Sequence, residues 1–260
     1  MIFTWNVNPI ALSFFSFSVH WYGIFFALGF FIGYFFVEQI FKKLQINTST
    51  LDKLLIYMFL GTIIGARLGH CFFYQPEYFI SHPLEIFKVW QGGLASHGGG
   101  IGLVLSVLLF CKIYHFNFFS LADILCIPTA FEGSLIRIGN FFNSEIYGKA
   151  TNSDYGVIFS RLGDDTPRHP CQIYESISYL IISLILFFLF IKLKQKYKGA
   201  VLGSFLILIF TTRFFIEFLK PEQADFNLFF LTMGQYLSIP FVVIGLFLLI
   251  FSLIRRNKKV

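Results

Sequence analysis

Charge is what this 260-residue chain has least of: Asp, Glu, Lys and Arg together make 13% of it, about half the ~25% of an ordinary soluble domain. With 56% hydrophobic residues and a mean hydropathy of +0.72, that scarcity excludes a water-facing globular surface and points to a polytopic membrane protein. Lys and Arg are absent before Lys42, so the N-terminal stretch lacks the basic region of a secretory signal, and the first apolar segment is expected to stay in the mature chain. Cys71, Cys111, Cys126 and Cys171 occur without a CxxC pair or a metal-ligand spacing, which predicts packing thiols, no structural disulfide and no metal. HExxH, Gly-x-Ser-x-Gly, a P-loop and a haem or iron–sulfur ligand set are all missing, so no cofactor is called for. Internal repeats and low-complexity segments are missing too. The 38 Phe are read as lipid-facing filler and not as a site.

What is present is a series of apolar runs, each long enough to cross ~30 Å of hydrocarbon. They lie near His20–Phe41, Leu54–Phe73, His97–Tyr114, Leu121–Phe142, Cys171–Ile191, Gly199–Leu219 and Gly234–Ile254. The prediction is an all-α integral membrane protein: one polytopic domain, residues 1–260, of seven transmembrane helices, with a small outer-face cap, residues 144–170, between spans four and five.

Seven spans put the termini on opposite sides, and the basic residues choose between them. One set of loops holds twelve: Lys42, Lys43, Lys53, Lys112, Lys192, Lys194, Lys196, Lys198, Arg255, Arg256, Lys258 and Lys259. The other holds five: Lys88, Lys149, Arg161, Arg168 and Lys220. By the positive-inside rule the N-terminus faces outward and the C-terminus the cytoplasm. Glu77, Glu85, Glu145, Asp154, Asp164, Asp165, Glu222 and Asp225 all fall on the outer side, as that orientation requires. The net charge of +6 is thereby matched to anionic inner-leaflet lipid, and nucleic acid is not expected as a partner.

The cap is turn-rich around a strand-like run, Tyr155–Phe159, and is too short for a core of its own. In the preceding outer loop, Pro83-Leu-Glu-Ile-Phe-Lys-Val-Trp90 reads as an amphipathic piece anchored at the interface by Trp90.

Three arginines remain inside spans: Arg67, Arg137 and Arg213. An intramembrane Arg costs roughly 2.5–3.5 kcal/mol on insertion scales and is a functional-site hypothesis by default. Arg137-Ile-Gly-Asn-Phe-Phe-Asn-Ser-Glu-Ile-Tyr-Gly148 concentrates this one with Asn140, Asn143 and Glu145. Arg213 and Glu217 are four residues apart on one helix face, where each can neutralise the other. Alternatively Arg137 and Arg213, at comparable depth, offer two guanidinium forks to one phosphate, the group a membrane supplies at that level. Gly61, Gly65 and Gly69 recur every four residues and predict a tight helix contact, leaving Arg67 to hold a neighbouring acid or to touch a ligand. Gly92-Gly-Leu-Ala-Ser-His-Gly-Gly-Gly-Ile-Gly102 exposes the imidazole of His97 at a helix start. In Arg168-His-Pro-Cys-Gln-Ile-Tyr-Glu175, Pro170 suits a first helical turn, and Cys171 has no committed base beside it. His20-Trp-Tyr-Gly23 offers Trp21 as an anchor and Tyr22 as an inward hydroxyl.

These motifs, with Arg213-Phe-Phe-Ile-Glu-Phe and Met233-Gly-Gln-Tyr-Leu-Ser-Ile-Pro240, resemble in order the family of bacterial phosphatidylglycerol–prolipoprotein diacylglyceryl transferases, from the first span to the last. The resemblance implies a plasma-membrane enzyme that moves the diacylglyceryl group of phosphatidylglycerol onto the lipobox cysteine of a prolipoprotein, at the outer half of the bilayer. It further implies that Tyr22, His97, Arg137, Asn140, Glu145, Gly148, Arg213 and Glu217 serve activity, with Arg137 on the lipid phosphate. The chain departs from the family pattern at Ile136, where glycine is usual, at Ile209, where tyrosine is frequent, and at Cys171, where Ser or Thr is usual.

The expected roles follow. Arg137 and Arg213 stabilise charge on the leaving phosphate, His97 is the base for the thiol, and Tyr22 and Glu217 complete the catalytic set. Asn140, Asn143, Glu145, Gly148 and Arg67 bind the substrate. The partners are phosphatidylglycerol and the lipobox peptide, and the protein is expected to be a monomer. A lipid or anion transporter with an arginine-lined site is the alternative, against which stands the lack of repeated halves.

Overall fold

Each apolar run read from the sequence is helical in the computed structural model, which describes residues 1–15, 17–89, 92–193, 196–221 and 231–255. Trp90 and the charged residues Lys194, Glu222, Asp225, Arg256, Lys258 and Lys259 of the orientation argument lie outside the described residues. The helices are α1 (Trp21–Lys43), α2 (Ser49–Phe73), the short α3 (Pro76–Ser81), α4 (Ser96–Ile113), α5 (Phe118–Phe142), α6 (Cys171–Leu193), α7 (Ala200–Ile216) and α8 (Met233–Ile254). Among the described residues six are long and apolar enough to cross a membrane: α1, α2, α5, α6, α7 with its 3₁₀ extension to Leu219, and α8. The third predicted span is shorter than these, an apolar helix over His97–Ile113.

The helical prediction needs one correction, because the described residues also include four short strands: β1 (Ile2–Trp5), β2 (Ile10–Phe14), β3 (Phe17–His20) and β4 (Gly156–Phe159). The strand-like run Tyr155–Phe159 becomes β4, whereas β1, β2 and β3 are too short to show as periodic segments. β1 runs parallel to β4, from Ile2 opposite Gly156 to Trp5 opposite Phe159, and β2 and β3 form an antiparallel hairpin.

Backbone packing groups the chain into two compact units, residues 38–121 and residues 1–37 with 122–260.

In the unit of residues 38–121, α2 and α4 pack glycine on glycine. A Cβ on Gly65 would overlap the carbonyl of Gly98, and one on Gly69 would lie 2.9 Å from the Cα of Gly98. The spacing Gly61–Gly65–Gly69 therefore meets a second one, Gly98–Gly102, and the backbones touch as a small-residue stripe allows. In the loop between them, the stretch read as an amphipathic piece from Pro83 carries a 3₁₀ turn at Pro83–Phe87. The carbonyls of Glu85 and Ile86, which a continuing α-helix would use, are occupied by Arg67.

In the other unit the capping and stitching are polar. Asp123 of α5 accepts from the backbone N–H groups of Gly199 (2.7 Å) and Leu202 (2.8 Å), satisfying two donors at the start of α7. Ser134 and Ser176 share a hydrogen bond of 2.9 Å between α5 and α6, and Ser183 donates to the Ile127 carbonyl at 3.0 Å. The latter bond falls beside Pro128, whose missing N–H already interrupts the α5 ladder. Gly203 and Gly245 let α7 and α8 touch, and Thr232 with Gln235 forms a capping box at the start of α8.

The cap recruits what it lacks from the N-terminus. β1 delivers Trp5 to a cluster of Phe141, Val157 and Phe159, with the Trp5 and Phe141 rings 4.4 Å apart. Val157 and Arg168 exchange two backbone bonds of 2.9 Å, which fold the loop back on itself.

Candidate functional site

The polar cluster begins with where three helices end. α5 finishes just after Arg137 and Asn140, α6 starts at Cys171, and α7 gives way to a 3₁₀ turn at Glu217–Leu219. Backbone bonds hold these ends together: Gly148 N–H donates to the His169 carbonyl at 2.8 Å, and Lys149 N–H to the Leu219 carbonyl at 2.7 Å.

Arg137 is fixed on two sides. Its Nε lies 2.7 Å from Oε2 of Glu175, and its Nη1 donates to Oδ1 of Asn140 at 3.0 Å. Glu175 is fully buried and is shared, since its Oε1 accepts from the buried ammonium of Lys220 at 2.7 Å. Lys220 in turn lies 3.6 Å from Glu217. The order Arg137–Glu175–Lys220–Glu217 alternates sign, which is how charges survive in a low-dielectric interior. Sequence reasoning left Glu175 as part of a motif and Lys220 as a loop cation. The signal for both was their spacing: Glu175 one turn into α6, and Lys220 three residues beyond Glu217.

Glu217 itself requires a correction. The expected Arg213–Glu217 pair is not formed among the described residues. The tighter 3₁₀ turn that begins at Glu217 carries its carboxyl toward Lys220 and onto Gly234, where a Cβ would overlap it. Arg213 is thereby left without a hydrogen bond or ion pair among the described residues. Arg137 and Arg213 are nonetheless both close enough to the Tyr179 phenol of α6 to influence it electrostatically.

Asn140 passes the network on. Its Nδ2 donates to Oε1 of Glu145 at 2.8 Å, and Asn143 donates to the same oxygen at 3.1 Å. Glu145 sits between two residues in the left-handed region, Ser144 (φ 56°) and Ile146 (φ 57°), a conformation a β-branched residue rarely adopts. Two bonds hold it there: Glu145 N–H to the Asn140 carbonyl, and Gln172 Nε2 to the Glu145 carbonyl at 2.7 Å. Tyr22 of α1 lays its ring on Gly139, where a Cβ would come within 2.8 Å of Cδ2. Its hydroxyl is within electrostatic reach of Glu145, Arg137 and Glu132.

Two of the residues predicted to bind the substrate are held in close contacts of their own. Gly148 is buried, and a Cβ there would stand 2.6 Å from both Cys171 Sγ and His169 Cβ, so glycine is needed for the loop to pass α6. Arg67 pairs with no acid among the described residues: its guanidinium donates to the carbonyls of Glu85 (2.6 Å), Ile86 (2.9 Å), Gly92 (2.7 Å) and Gly93 (3.2 Å), and lies over the Phe79 ring. These bonds take four of the five N–H donors an arginine has. His97 stands exposed in the first turn of α4, with no hydrogen bond or ion pair among the described residues.

Outside the helices, Asp164 and Arg168 pair at 2.7 Å in the cap, with the guanidinium over the Tyr147 ring. The Arg168 hydrogen bond, with that from the Thr166 N–H, holds the Asp164 carboxyl below its ordinary range.

The apolar helices and the homologous chains define a multi-pass membrane protein, with one guanidinium held by acid and amide and a second on a neighbouring helix that has no hydrogen bond or ion pair among the described residues. The chain belongs to the prolipoprotein diacylglyceryl transferase family, whose model matches residues 9–251. It is 48% identical over 252 residues to the phosphatidylglycerol–prolipoprotein diacylglyceryl transferase of Tolumonas auensis, covering 95% of this chain and 96% of that one. To the proteins of the same name from Chloroherpeton thalassium and Bacteroides fragilis it is 42% and 41% identical, with 98% of this chain covered in both and 95% and 97% of those chains.

Proposed function

We propose that the chain transfers the sn-1,2-diacylglyceryl group of phosphatidylglycerol to the lipobox cysteine of a prolipoprotein. The observation that carries this, beside family membership, is Arg137 pinned by Glu175 and Asn140 while Arg213 has no hydrogen bond or ion pair among the described residues. The thiol gives up its proton, its sulfur attacks the glyceryl carbon, the bond from that carbon to the phosphate oxygen breaks, and glycerol phosphate leaves as a thioether forms. Charge grows on the departing phosphate. A fixed guanidinium and a free one meet that charge without reorganising, which is the electrostatic contribution that dominates such catalysis.

In this reading Asn140, Asn143 and Glu145 receive the head-group hydroxyls, Tyr22 orders Glu145 and Arg137, and Glu217 places Lys220. Arg67 and Gly148 support the site through the loops they hold. His97 is the proposed acceptor of the thiol proton, a role supported by its exposed, glycine-flanked ring and by the family resemblance. The distribution of Lys and Arg supports an inner-membrane protein with the N-terminus outside, α4 as a seventh span and residues 144–170 as an outer-face cap. It acts as a monomer and without a cofactor. A transporter is not favoured, because the relatives carry the name of a transferase.

The test is incubation of purified protein with phosphatidylglycerol and a lipobox peptide. A diacylglyceryl mass gain on cysteine is expected; lipid movement across the bilayer with no such gain contradicts the reading.

A further inference from the structure

The hairpin of β2 and β3 has a bare apolar face. Its register sets Leu12 opposite Val19 and Phe14 opposite Phe17, and between these pairs Ser13 opposite Ser18. Opposed residues in a sheet share a face and successive ones alternate, so Leu12, Phe14, Phe17 and Val19 lie on one side of the ribbon and the two serines on the other. The four apolar side chains are between 46% and 79% exposed, and both serines are exposed as well. A two-stranded hairpin bare on both faces is marginal in water, and an uncovered cluster of large apolar side chains marks a contact surface. Phe15, next after β2, has φ 52°, a left-handed value that a bulky residue rarely adopts, and its ring is 95% exposed.

What covers this face follows from where the hairpin is tied. β3 runs without a break into α1, a membrane-crossing helix. The N–H of Trp21, the first residue of α1, donates to the Pro9 carbonyl at 2.9 Å, which fastens the other strand to the same point. The Trp21 ring is itself packed at the helix ends, 6.2 Å from Phe25 and 5.2 Å from Phe142.

The four residues of β3 rise about 14 Å from that point. The head-group layer on each side of the hydrocarbon is only ~5–7 Å deep, so an upright ribbon would hold its phenylalanines in water, whereas a flat one keeps them at the hydrocarbon boundary. Charge does not oppose the flat arrangement. Asp, Glu, Lys and Arg are absent from residues 1–37, so contact with lipid strips water from no charged side chain of this segment.

We infer that the β2–β3 hairpin lies flat in the bilayer surface at the N-terminal end of α1, with Leu12, Phe14, Phe17 and Val19 against the acyl chains and Ser13 and Ser18 toward water. Its partner is the lipid of that leaflet, held as an amphipathic surface element holds it. The inference uses only the membrane-crossing α1 and stands apart from the transferase reading.

The test uses the full-length protein in vesicles of phosphatidylglycerol and phosphatidylcholine. Cys71, Cys111, Cys126 and Cys171 are all buried, so nitroxide labels can be directed to single introduced cysteines, with unsubstituted protein as the control. The variants are Leu12→Cys and Phe17→Cys on one face and Ser13→Cys and Ser18→Cys on the other. Labels at 12 and 17 should collide with oxygen, which concentrates in hydrocarbon, and be shielded from a water-soluble nickel chelate; labels at 13 and 18 should show the reverse. Equal access of nickel to all four overturns the proposal. Shielding at 12 and 17 from both reagents overturns it too, because a protein then covers the face: a second copy if dilution into more lipid removes the shielding, the lipobox peptide if only its addition creates it.

A measurement on the wild type keeps the proposal open to refutation if the variants do not fold. Phosphatidylglycerol with a diazirine on its acyl chain is photolysed in the same vesicles, and adducts are expected on Leu12, Phe14, Phe17 or Val19. Adducts on α1 with none on the hairpin overturn the proposal.

Discussion

Arg67 and Arg213 are both intramembrane guanidiniums near the ends of long helices, and their surroundings differ completely. Arg67 gives four N–H groups to loop carbonyls, whereas Arg213 has no partner among the described residues. The cost of an arginine in a membrane helix is similar in both cases, so the residue type alone does not separate a staple from a ligand. The partners do. A guanidinium whose donors are filled by backbone orders a loop, and one left open is available to a phosphate. Arg137 stands between them, held by Glu175 and Asn140 with its charge facing the same Tyr179 phenol that Arg213 reaches.

The largest effect expected comes from breaking the held side of this comparison. Glu175→Leu leaves Arg137 and Lys220 buried without their shared carboxylate, and a loss of about 3–5 kcal/mol in stability is expected, read as a lowered midpoint in thermal unfolding. A variant with wild-type stability would mean that the ion pairs are replaced at no cost and that the chain of alternating charges is not structural. Arg137→Lys comes next. It keeps the charge and removes the fork, so transfer should fall about 10²–10³-fold with normal insertion, measured as the rate of mass gain on the lipobox cysteine. Wild-type activity in that variant would remove the clamp from the mechanism.

How much of this was visible beforehand divides along physical lines. The helices were legible because a span needs a continuous apolar run, and each was found within a few residues. A tight contact of α2 was legible because of its glycines at intervals of four, whereas its partner, α4, was not read from the sequence. Of the strands only β4 was legible, as the strand-like run Tyr155–Phe159; its partner β1 is four residues long and lies about 150 positions away. At the site, Arg137, Asn140, Asn143 and Glu145 were read as one cluster and are joined by hydrogen bonds. Glu217 was read correctly as a paired acid but with the wrong cation, because helical spacing was assumed through a turn that tightens to 3₁₀.

Arg67→Ala sharpens the comparison from the other side. Removing the guanidinium strands carbonyls of the loop after α3, and about 1.5–3 kcal/mol of stability should go with them. Protease sensitivity of residues 82–93 should rise, and KM for the lipid should change less than in Arg213→Gln, whose effect should fall on transfer with stability unchanged. Equal shifts in lipid KM for the two variants would abolish the distinction between staple and ligand.

The smallest effect concerns Arg168, an arginine that is paired in water. Its partner Asp164 is partly exposed, and its carboxyl is held below the ordinary value of 3.8 by the Arg168 side chain and the Thr166 N–H. A depressed folded pKa means that the unfolded chain binds the proton more tightly. The contribution of this pair to cap stability is therefore complete at pH above 3.8 and is lost as pH falls through the lower folded value. Solvent screens such a pair, so the change should be small beside those at Glu175 and Arg67, and smaller still in high salt. Hydrogen exchange of the Val157 and Arg168 amides, followed from neutral pH downward, should show protection declining only at the acid end. In Asp164→Asn that acid-dependent decline should flatten; a decline of the same size in the variant would assign the titration to another carboxylate of the cap, and the Asp164–Arg168 pair would then contribute nothing measurable.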